Sequence, residues 1–331
     1  MKMTWEQRDY DLEFFHRELD SFVPDTIFDA HAHLYELWHW KVQTALAVGP
    51  HKATLEVFQE QIQWITPGRE THGLFFGGGL YEPTYRASNE FLAREAAKDP
   101  KSRGQLIVSP RQDPEELRQE VRRLSMVGLK VYHLFVEDRP SSQDAEIEEF
   151  LTEEHVRIAH EEGLSVTLHM VKPRSLADPA NQARIRYYCE NYPNMRLILA
   201  HAARSFNPHH TIEGIHTLKG IPNVWFDTSA VTEAGAFEAI VDTFGHERLL
   251  WGSDFPISHF RGRCVGIGDQ FLWLYEDTFD WKRISHVEIQ PYLVGMESLR
   301  AVKLAAMRLR LTDSQVEDVF CNNGRKMFGL D

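Results

Sequence analysis

Cysteine is scarce in this sequence. The 331 residues contain three cysteines, Cys189, Cys264 and Cys321, which lie far apart along the chain. Three scattered thiols cannot build a disulfide framework, and their spacing matches no cysteine metal site. The sequence therefore predicts reduced, buried thiols in a cytoplasmic protein.

Long apolar runs and basic runs are also missing. No apolar stretch approaches the roughly 20 residues that a membrane-spanning helix needs, and the opening MKMTWEQRDYDLEFF lacks the pattern of a signal peptide. Lys and Arg total 36 against 49 Asp and Glu, which gives a formal net charge of −13. Because an acidic surface repels phosphate backbones, we expect neither a nucleic-acid partner nor a membrane partner.

What recurs along the chain is a short apolar run, then a polar or Gly/Pro break, then a helical stretch. Strands that alternate with helices are typical of parallel βαβ units, and eight such units predict a closed barrel. The expected fold is thus an α/β (β/α)8 TIM barrel, with an open doubly wound sheet as the alternative. The eight candidate strands are 26–31, 73–77, 105–109, 128–133, 164–169, 196–201, 223–228 and 249–254.

The pattern predicts a single barrel domain over residues 26–331, preceded by a helical extension over residues 1–25. Two segments exceed a minimal barrel: residues 34–72, and residues 256–331 with helical stretches at 296–310 and 314–328. Both follow a strand, so we expect them at the C-terminal face of the barrel, where active sites are found.

Histidine and aspartate stand at the ends of the predicted strands. His31 and His33 are two residues apart on one strand, so their side chains project from the same face. His169, His201 and Asp254 end the fifth, sixth and eighth runs. Any one of these residues alone could be structural. Five in register indicate a metal site, because a cation offsets the cost of a buried carboxylate and this ligand set suits Zn²⁺ or a similar ion.

The order of these motifs resembles the amidohydrolase superfamily. The branch to which it is most similar contains aminocarboxymuconate-semialdehyde decarboxylase and related metal-dependent hydrolases, and the resemblance covers about residue 26 to the C-terminus. The motifs are Phe28-Asp29-Ala30-His31-Ala32-His33, His169, Ala200-His201, Trp251-Gly252-Ser253-Asp254-Phe255-Pro256 and Asn322-Asn323-Gly324-Arg325-Lys326-Met327-Phe328-Gly329-Leu330.

The resemblance implies one divalent metal ion, zinc first and manganese or iron as alternatives, bound by His31, His33, His169 and Asp254. It implies that His201 is the general acid/base, while Asp254 could also accept a proton from water. The expected activity is metal-dependent hydrolysis of a small amide, lactone or related carbonyl compound. The alternatives are nonhydrolytic decarboxylation of an unsaturated or aromatic carboxylate, and a metal-binding barrel without catalysis. A homodimer is plausible from the relatives.

Two cationic positions need their own interpretation. Many relatives have glycine soon after the sixth-strand histidine, whereas this chain has Arg204, which either binds an anionic substrate or forms a salt bridge outside the site. Lys130 lies on the fourth strand, where binuclear members carry a carboxylated lysine. Because a single metal is usual in this branch, we expect Lys130 to be an uncarboxylated pocket cation or half of a buried ion pair. His133 could take its place if the strand faces the other way.

Trp38 and Arg86 are further candidates for substrate contact, together with Tyr35, His72 and Asp227. A packing or surface role is favoured for each of them. His209 and His210 are expected to be a solvated pair in a loop. The three glycines at 77–79 predict a tight turn and not a phosphate loop, because no Gly-Lys-Ser/Thr follows.

Overall fold

A computed structural model describes residues 3–41, 46–284 and 286–330. It contains eight parallel strands that pair in one sheet in the order in which they occur along the chain. This order without reversal excludes the doubly wound alternative and confirms the (β/α)8 barrel. The strands are β1 Thr26–His33, β4 Glu70–Phe76, β5 Arg103–Ile107, β6 Gly128–Tyr132, β7 Ser165–His169, β8 Arg196–Leu199, β9 Val224–Asp227 and β10 Leu249–Leu250, and two short strands, β2 Tyr35–Glu36 and β3 Lys52–Ala53, pair outside the barrel.

The barrel closes between its last and first strands. Backbone hydrogen bonds run from Ala30 N to Trp251 O at 2.8 Å, from His33 N to Phe255 O at 2.9 Å and from Asp254 N to His31 O at 2.7 Å. The eighth strand was expected over 249–254, but β10 ends at Leu250. The chain leaves the extended conformation before Asp254, whose φ is 62°. The closing contacts therefore come from a turn and not from a regular strand.

Helices cover the outside of the barrel, and local capping explains several of their starts. Asp113 accepts hydrogen bonds from Glu115 N and Glu116 N, and Thr152 accepts one from His155 N. These caps satisfy amide groups that have no partner within the helix. The helices are α1 Asp9–Phe14, α2 Leu55–Gln61, α3 Tyr85–Ala96, α4 Pro114–Arg123, α5 Ile147–Phe150, α6 Glu153–Glu161, α7 Pro179–Asn191, α8 Ala200–Arg204, α9 Pro208–Gly214, α10 Gly235–Phe244, α11 Trp281–Ile284, α12 Val294–Leu309, α13 Asp313–Glu317 and α14 Asn323–Met327. None of the helices in the described residues has the length and apolarity that a membrane crossing requires.

The N-terminal segment is tied to the barrel by charged side chains. Helix α1 continues into a π-helical turn over Phe15–Leu19. Asp11 and Arg261 form a fully buried ion pair at 2.6 Å, and Arg8 pairs with Glu276 at 2.7 Å. Residues 9–19 of this segment are helical. A domain boundary at residue 25 stays a prediction, and residues 1, 2 and 331 lie outside the described part.

The segment after the last strand contains an antiparallel hairpin that the sequence-based interpretation missed. Its strands are β11 Gly262–Ile267 and β12 Gln270–Tyr275, which pair from Gly262 opposite Tyr275 to Ile267 opposite Gln270. The signal was present as Gly268-Asp269 between two alternating runs, which is typical of a hairpin turn. The helical stretches expected near 296–310 and 314–328 correspond to α12 and to the elements from α13 to α14.

Candidate metal centre and active site

His31 and His33 lie at the C-terminal end of β1 and are held by partners on their Nδ1 atoms. His33 Nδ1 donates to Gly77 O at 2.8 Å, and His31 Nδ1 lies 2.9 Å from Asp227 Oδ2. With the protons placed on Nδ1, the lone pair of each ring is on Nε2. Hydrogen bonds of this kind orient histidines that bind metals.

Asp254 joins the two histidines from the turn that closes the barrel. Its Oδ1 lies 3.5 Å from His31 Nε2. One ligand atom from each of His31, His33 and Asp254 falls within a group whose members are all within 4.8 Å of one another. The three side chains are buried, with relative exposures between 0% and 7%. Three of the four expected ligands therefore converge on one point.

His169, the fourth expected ligand, lies at the edge of this group. Its Nδ1 faces Nε2 of His201 at 3.1 Å, and its ring stacks on Tyr132 with centroids 5.0 Å apart. His201 Nδ1 donates to Ser229 O at 3.0 Å, so the lone pair of His201 is on Nε2. Two facing imidazole nitrogens can share either a proton or a cation. Among the described residues, His169 belongs to no compact three-residue ligand group.

A left-handed turn positions His201. Its φ is 57°, and Ala202, Ala203 and Arg204 follow with φ values of 52°, 64° and 57°. Consecutive left-handed residues other than glycine are costly, and such strain concentrates at functional sites. Glycine would adopt this turn freely. Both alanines are fully buried.

Asp227 is the residue whose importance the sequence did not indicate. Its Oδ1 accepts hydrogen bonds from His201 N at 2.9 Å and Ser229 N at 3.1 Å, while Oδ2 faces His31. Asp227, His31 and His201 form a second compact group of possible ligands. The signal that could have found it is position, because Asp227 ends the seventh strand as the other site residues end theirs. From the sequence alone, a packing or surface role is favoured for Asp227.

Lys130 points into the barrel and reaches the same cluster. It is fully buried, its Nζ lies 3.1 Å from His31 Nε2, and it lies over the rings of Phe76 at 4.5 Å and Tyr132 at 5.0 Å. His133 on the same segment instead bonds Ser142 Oγ at 2.9 Å through its Nδ1. The fourth barrel strand therefore directs Lys130, and not His133, toward His31.

Burial sets the electrostatics of the cluster. It lowers the pKa of His33 to about 3, and it lowers the pKa of His31 and of His201 well below the usual value. These rings are therefore neutral, as metal ligands must be. Burial also raises the pKa of Asp254, although the charge of Lys130 opposes that shift. Neutral imidazoles and a desolvated carboxyl group together fit a divalent cation, which would restore the charge of the carboxylate.

The other candidates lie elsewhere. Trp38 is 51% exposed and donates to Glu36 at 3.0 Å, and Arg86 pairs with Glu116 at 3.0 Å on the surface. His72 pairs with Asp99 at 2.7 Å near the start of β4, and Tyr35 packs in the core. His210 is buried and lies 3.1 Å from Asp269 O, so the expected solvated pair is not formed. Arg204, in contrast, is buried beside the cluster.

Known proteins resemble this chain in sequence and in fold. The family model described as amidohydrolase matches residues 28–330. An L-fucono-1,5-lactonase of Burkholderia ambifaria is 31% identical over 115 residues, which are 30% of this chain and 39% of that protein. The chain therefore matches well under half the length of that curated relative.

Solved structures share the fold at low identity. An amidohydrolase from Burkholderia multivorans with bound zinc has a TM-score of 0.59 and 14% identity, over 92% of this chain and 100% of that one. A 2,6-dihydroxybenzoate decarboxylase in complex with 2,6-dihydroxybenzoate has a TM-score of 0.55 and 14% identity, over 93% of this chain and 100% of that one. At these identities the likeness concerns the fold.

Proposed function

The chain belongs to the amidohydrolase family, and we propose that it is a metal-dependent hydrolase of a small carbonyl compound, with a lactone as the first candidate. The observation that carries the proposal is the buried convergence of His31, His33 and Asp254 beside His201. A ligand group with a proton carrier next to it is the arrangement that hydrolysis with an activated water requires. The partial match to a lactonase supports the choice of lactone over amide.

We assign the metal ligands as the resemblance implied: His31, His33, His169 and Asp254, around one divalent ion. Zinc is proposed first, with manganese and iron as alternatives, because mixed nitrogen and oxygen ligands suit all three ions. When bound, such an ion supplies Lewis-acid polarisation of a carbonyl and activation of water. Asp227 orients His31 through Nδ1 and is proposed as a positioning residue.

His201 is proposed to move the proton. Its Nδ1 is occupied by Ser229 O at 3.0 Å, and its backbone N is held by Asp227 at 2.9 Å. Nε2 is therefore the atom that can accept a proton from the attacking water and then give it to the leaving group. Asp254 Oδ2, which lies 3.9 Å from His201 Nδ1, is proposed as a second proton acceptor in the site.

Lys130 is proposed to remain uncarboxylated. Its Nζ lies 3.1 Å from His31 Nε2 and is enclosed by two aromatic rings. Burial lowers the pKa of Lys130 to about 8, while the negative charges of Asp227 and Asp254 oppose that shift and favour the ammonium form. In the site it can also stabilise negative charge that develops on the substrate oxygen.

A decarboxylase is the second candidate, because the buried Arg204 beside the cluster could hold a carboxylate that is to be lost. Assaying both reactions on the same preparation separates the two. Hydrolysis of L-fucono-1,5-lactone and of simple aryl amides is followed by acid release, and CO2 release is followed with 2,6-dihydroxybenzoate.

We expect hydrolysis that chelation abolishes and that metal restores, and a loss of at least about 10²-fold in His201→Asn. CO2 release without hydrolysis would replace the hydrolase by the decarboxylase. Metal binding with neither activity on a broad panel of carbonyl compounds would favour a non-catalytic barrel. The homodimer also stays a proposal, and light scattering distinguishes it from a 38.4 kDa monomer.

A further inference from the structure

Arg204 ends the left-handed turn that begins at His201, and it is 9% exposed. Within the described residues, every hydrogen-bond acceptor of its guanidinium group is a neutral oxygen. Nη1 donates to Lys172 O at 3.3 Å and to Ser175 Oγ at 3.4 Å, and Nη2 donates to Gln143 Oε1 at 2.8 Å. The sequence had left open a salt bridge outside the site, and no such bridge involves Arg204 within residues 3–41, 46–284 and 286–330.

Part of the hydrogen-bonding capacity of Arg204 is unused. Its Nε is buried and has no acceptor among the residues that the structure describes. A guanidinium group has five N–H donors, so Nε and one N–H of the adjacent Nη2 remain. Two donors on adjacent nitrogens form the edge that binds a carboxylate with two parallel hydrogen bonds. A buried cation without an anion is costly, and a carboxylate ligand would offset that cost.

Arg204 lies near His133 and His169, on one side of the histidine cluster. Burial, and next the charge of Arg204, lower the pKa of His133 to about 4, and the ring of His133 stacks on His169 with centroids 5.7 Å apart. The positive charge is therefore close to a proposed metal ligand. A carboxylate bound by Arg204 would belong to a molecule that also reaches the reacting centre.

An aromatic wall connects Arg204 with His201. Phe271, on strand β12 of the hairpin, lies 5.3 Å from the guanidinium carbon of Arg204. Phe206 contacts Phe271 at 5.1 Å between ring centroids, and it contacts His201 at 5.2 Å. Phe271 of the hairpin therefore covers the cation, and Phe206, which lies outside the hairpin, covers the proton carrier. Such a wall favours a planar group next to the carboxylate.

We propose that Arg204 is a specificity-determining residue that binds a carboxylate of the substrate, so that the enzyme acts on carbonyl compounds that also carry a planar organic acid group. The reaction rests on the proposed function, but the binding of the acid group does not. Benzoate is a suitable test ligand, because it is planar and anionic, and benzamide is its neutral counterpart of nearly the same shape.

The experiment measures the dissociation constants of benzoate and benzamide with the metal-loaded protein, by calorimetry or by tryptophan fluorescence. It compares wild type with Arg204→Met, which keeps the length of the side chain and removes its charge, and with Arg204→Lys, which keeps the charge without the planar edge. Arg248→Met is the matched control. Arg248 directly precedes β10, at the other end of the barrel, and its guanidinium carbon lies 4.2 Å from the ring centroid of Trp225 on β9. Equal metal content and melting temperature are verified in all four proteins.

We expect wild type to bind benzoate at least about tenfold more tightly than benzamide. In Arg204→Met, the dissociation constant of benzoate should rise by about tenfold or more, while that of benzamide stays within about twofold of wild type. Arg204→Lys should bind benzoate with an affinity between those of wild type and Arg204→Met, and Arg248→Met should bind both ligands as wild type does. Unchanged benzoate affinity in Arg204→Met overturns the proposal, as does an equal loss for both ligands. If Arg204→Met does not fold, the absence of a benzoate preference in wild type overturns it as well. Carboxylate binding through Arg204 without any hydrolysis would contradict the proposed function alone.

Discussion

Asp227 and His31 are linked by a 2.9 Å contact between two fully buried side chains, Oδ2 to Nδ1, at the ends of two barrel strands. The contact fixes which nitrogen of His31 carries the proton and so which one faces the proposed metal. Removing a carboxylate from such a pair typically costs 10–100-fold in metal affinity.

The first prediction is that Asp227→Asn weakens zinc binding by about 10- to 100-fold, as measured by competition with a chromophoric chelator. Asp99→Asn is the matched control, because Asp99 forms a similar contact with His72 at 2.7 Å away from the cluster. Zinc affinity in the control should equal that of wild type. Equal affinity in both variants would mean that Asp227 does not position His31.

The second prediction separates two neighbouring histidines. His169→Ala should lose most of the about one equivalent of metal found in wild type, because it removes a proposed ligand. His133→Ala should keep its metal, since His133 bonds Ser142 although its ring stacks on His169. Elemental analysis of the purified proteins decides. Full metal content in His169→Ala would remove that residue from the ligand set. Two equivalents of metal per chain in wild type would favour a binuclear site with a carboxylated Lys130.

The third prediction concerns the stability of the protein at acidic pH. Burial lowers the pKa of His33 to about 3 and the pKa values of His39, His133 and His259 to about 4. In the unfolded chain these imidazoles titrate near about 6.5, so between about pH 6.5 and pH 4 the folded state binds fewer protons. The free energy of unfolding should therefore fall as the pH falls through this window.

His259→Gln tests this pH dependence on a residue outside the cluster. The side chain of His259 lies 2.8 Å from Gln61 O, and glutamine can keep a donor there. Without this imidazole, the slope of unfolding free energy against pH should fall by about one proton, or about 1.4 kcal/mol per pH unit. Urea titrations with chelator present throughout give the slopes. An unchanged slope would show that His259 is not a neutral buried group.

The fourth prediction concerns the buried pair of Asp11 and Arg261, at 2.6 Å with both side chains almost fully buried. Asp11→Ala should destabilise the protein by about 3–5 kcal/mol, because it leaves the guanidinium group buried without its anion. Glu116→Gln is the surface control, since its pair with Arg86 is more than half exposed on both sides. It should change the urea midpoint little. If the two substitutions changed the free energy of unfolding by similar amounts, burial would not be the reason why Asp11→Ala destabilises the protein.

The fifth prediction concerns the close approach of α14 to the first strand. A Cβ at Gly324 would lie 2.4 Å from Phe28 Cδ1, whereas a Cβ at Gly235 would lie 3.3 Å from its nearest neighbour, the flexible end of Ile212. Alanine favours a helix over glycine, so Gly235→Ala should be neutral or stabilising. Gly324→Ala should instead destabilise the protein by about 1–3 kcal/mol through overpacking. Thermal unfolding of both variants tests the difference in sign.

The barrel could be predicted from the sequence because the strands are short apolar runs in a regular order. Each of the eight expected runs overlaps a strand of the sheet, from Thr26–His33 to Leu249–Leu250. The polar residues of the site were found by the same logic, since they follow apolar runs and parallel strands end at one face. Spacing and position made His31, His33 and Asp254 candidates, and the family resemblance implied their role as ligands, which stays a prediction.

What could not be predicted depends on contacts between distant parts of the chain. The role of Asp227 rests on hydrogen bonds to His31 and to the backbone of His201, which no local pattern encodes. The left-handed turn through Ala202 and Ala203 contains none of the residues that favour such a conformation. Alanine disfavours a positive φ, so the local sequence does not predict the turn. Trp38 and Arg86 illustrate the reverse, since their position near strand ends was suggestive but their side chains face the surface.

The closure of the barrel has a consequence for biosynthesis. His31 and Asp254 are joined directly across the seam, by a 2.7 Å hydrogen bond from Asp254 N to His31 O. A ribosome releases the first strand long before the last one, so a nascent chain with seven strands has an open edge and lacks Asp254. If His31 and Asp254 bind the cation as proposed, it can be captured only when translation is nearly finished, and it then links the two ends of the sheet.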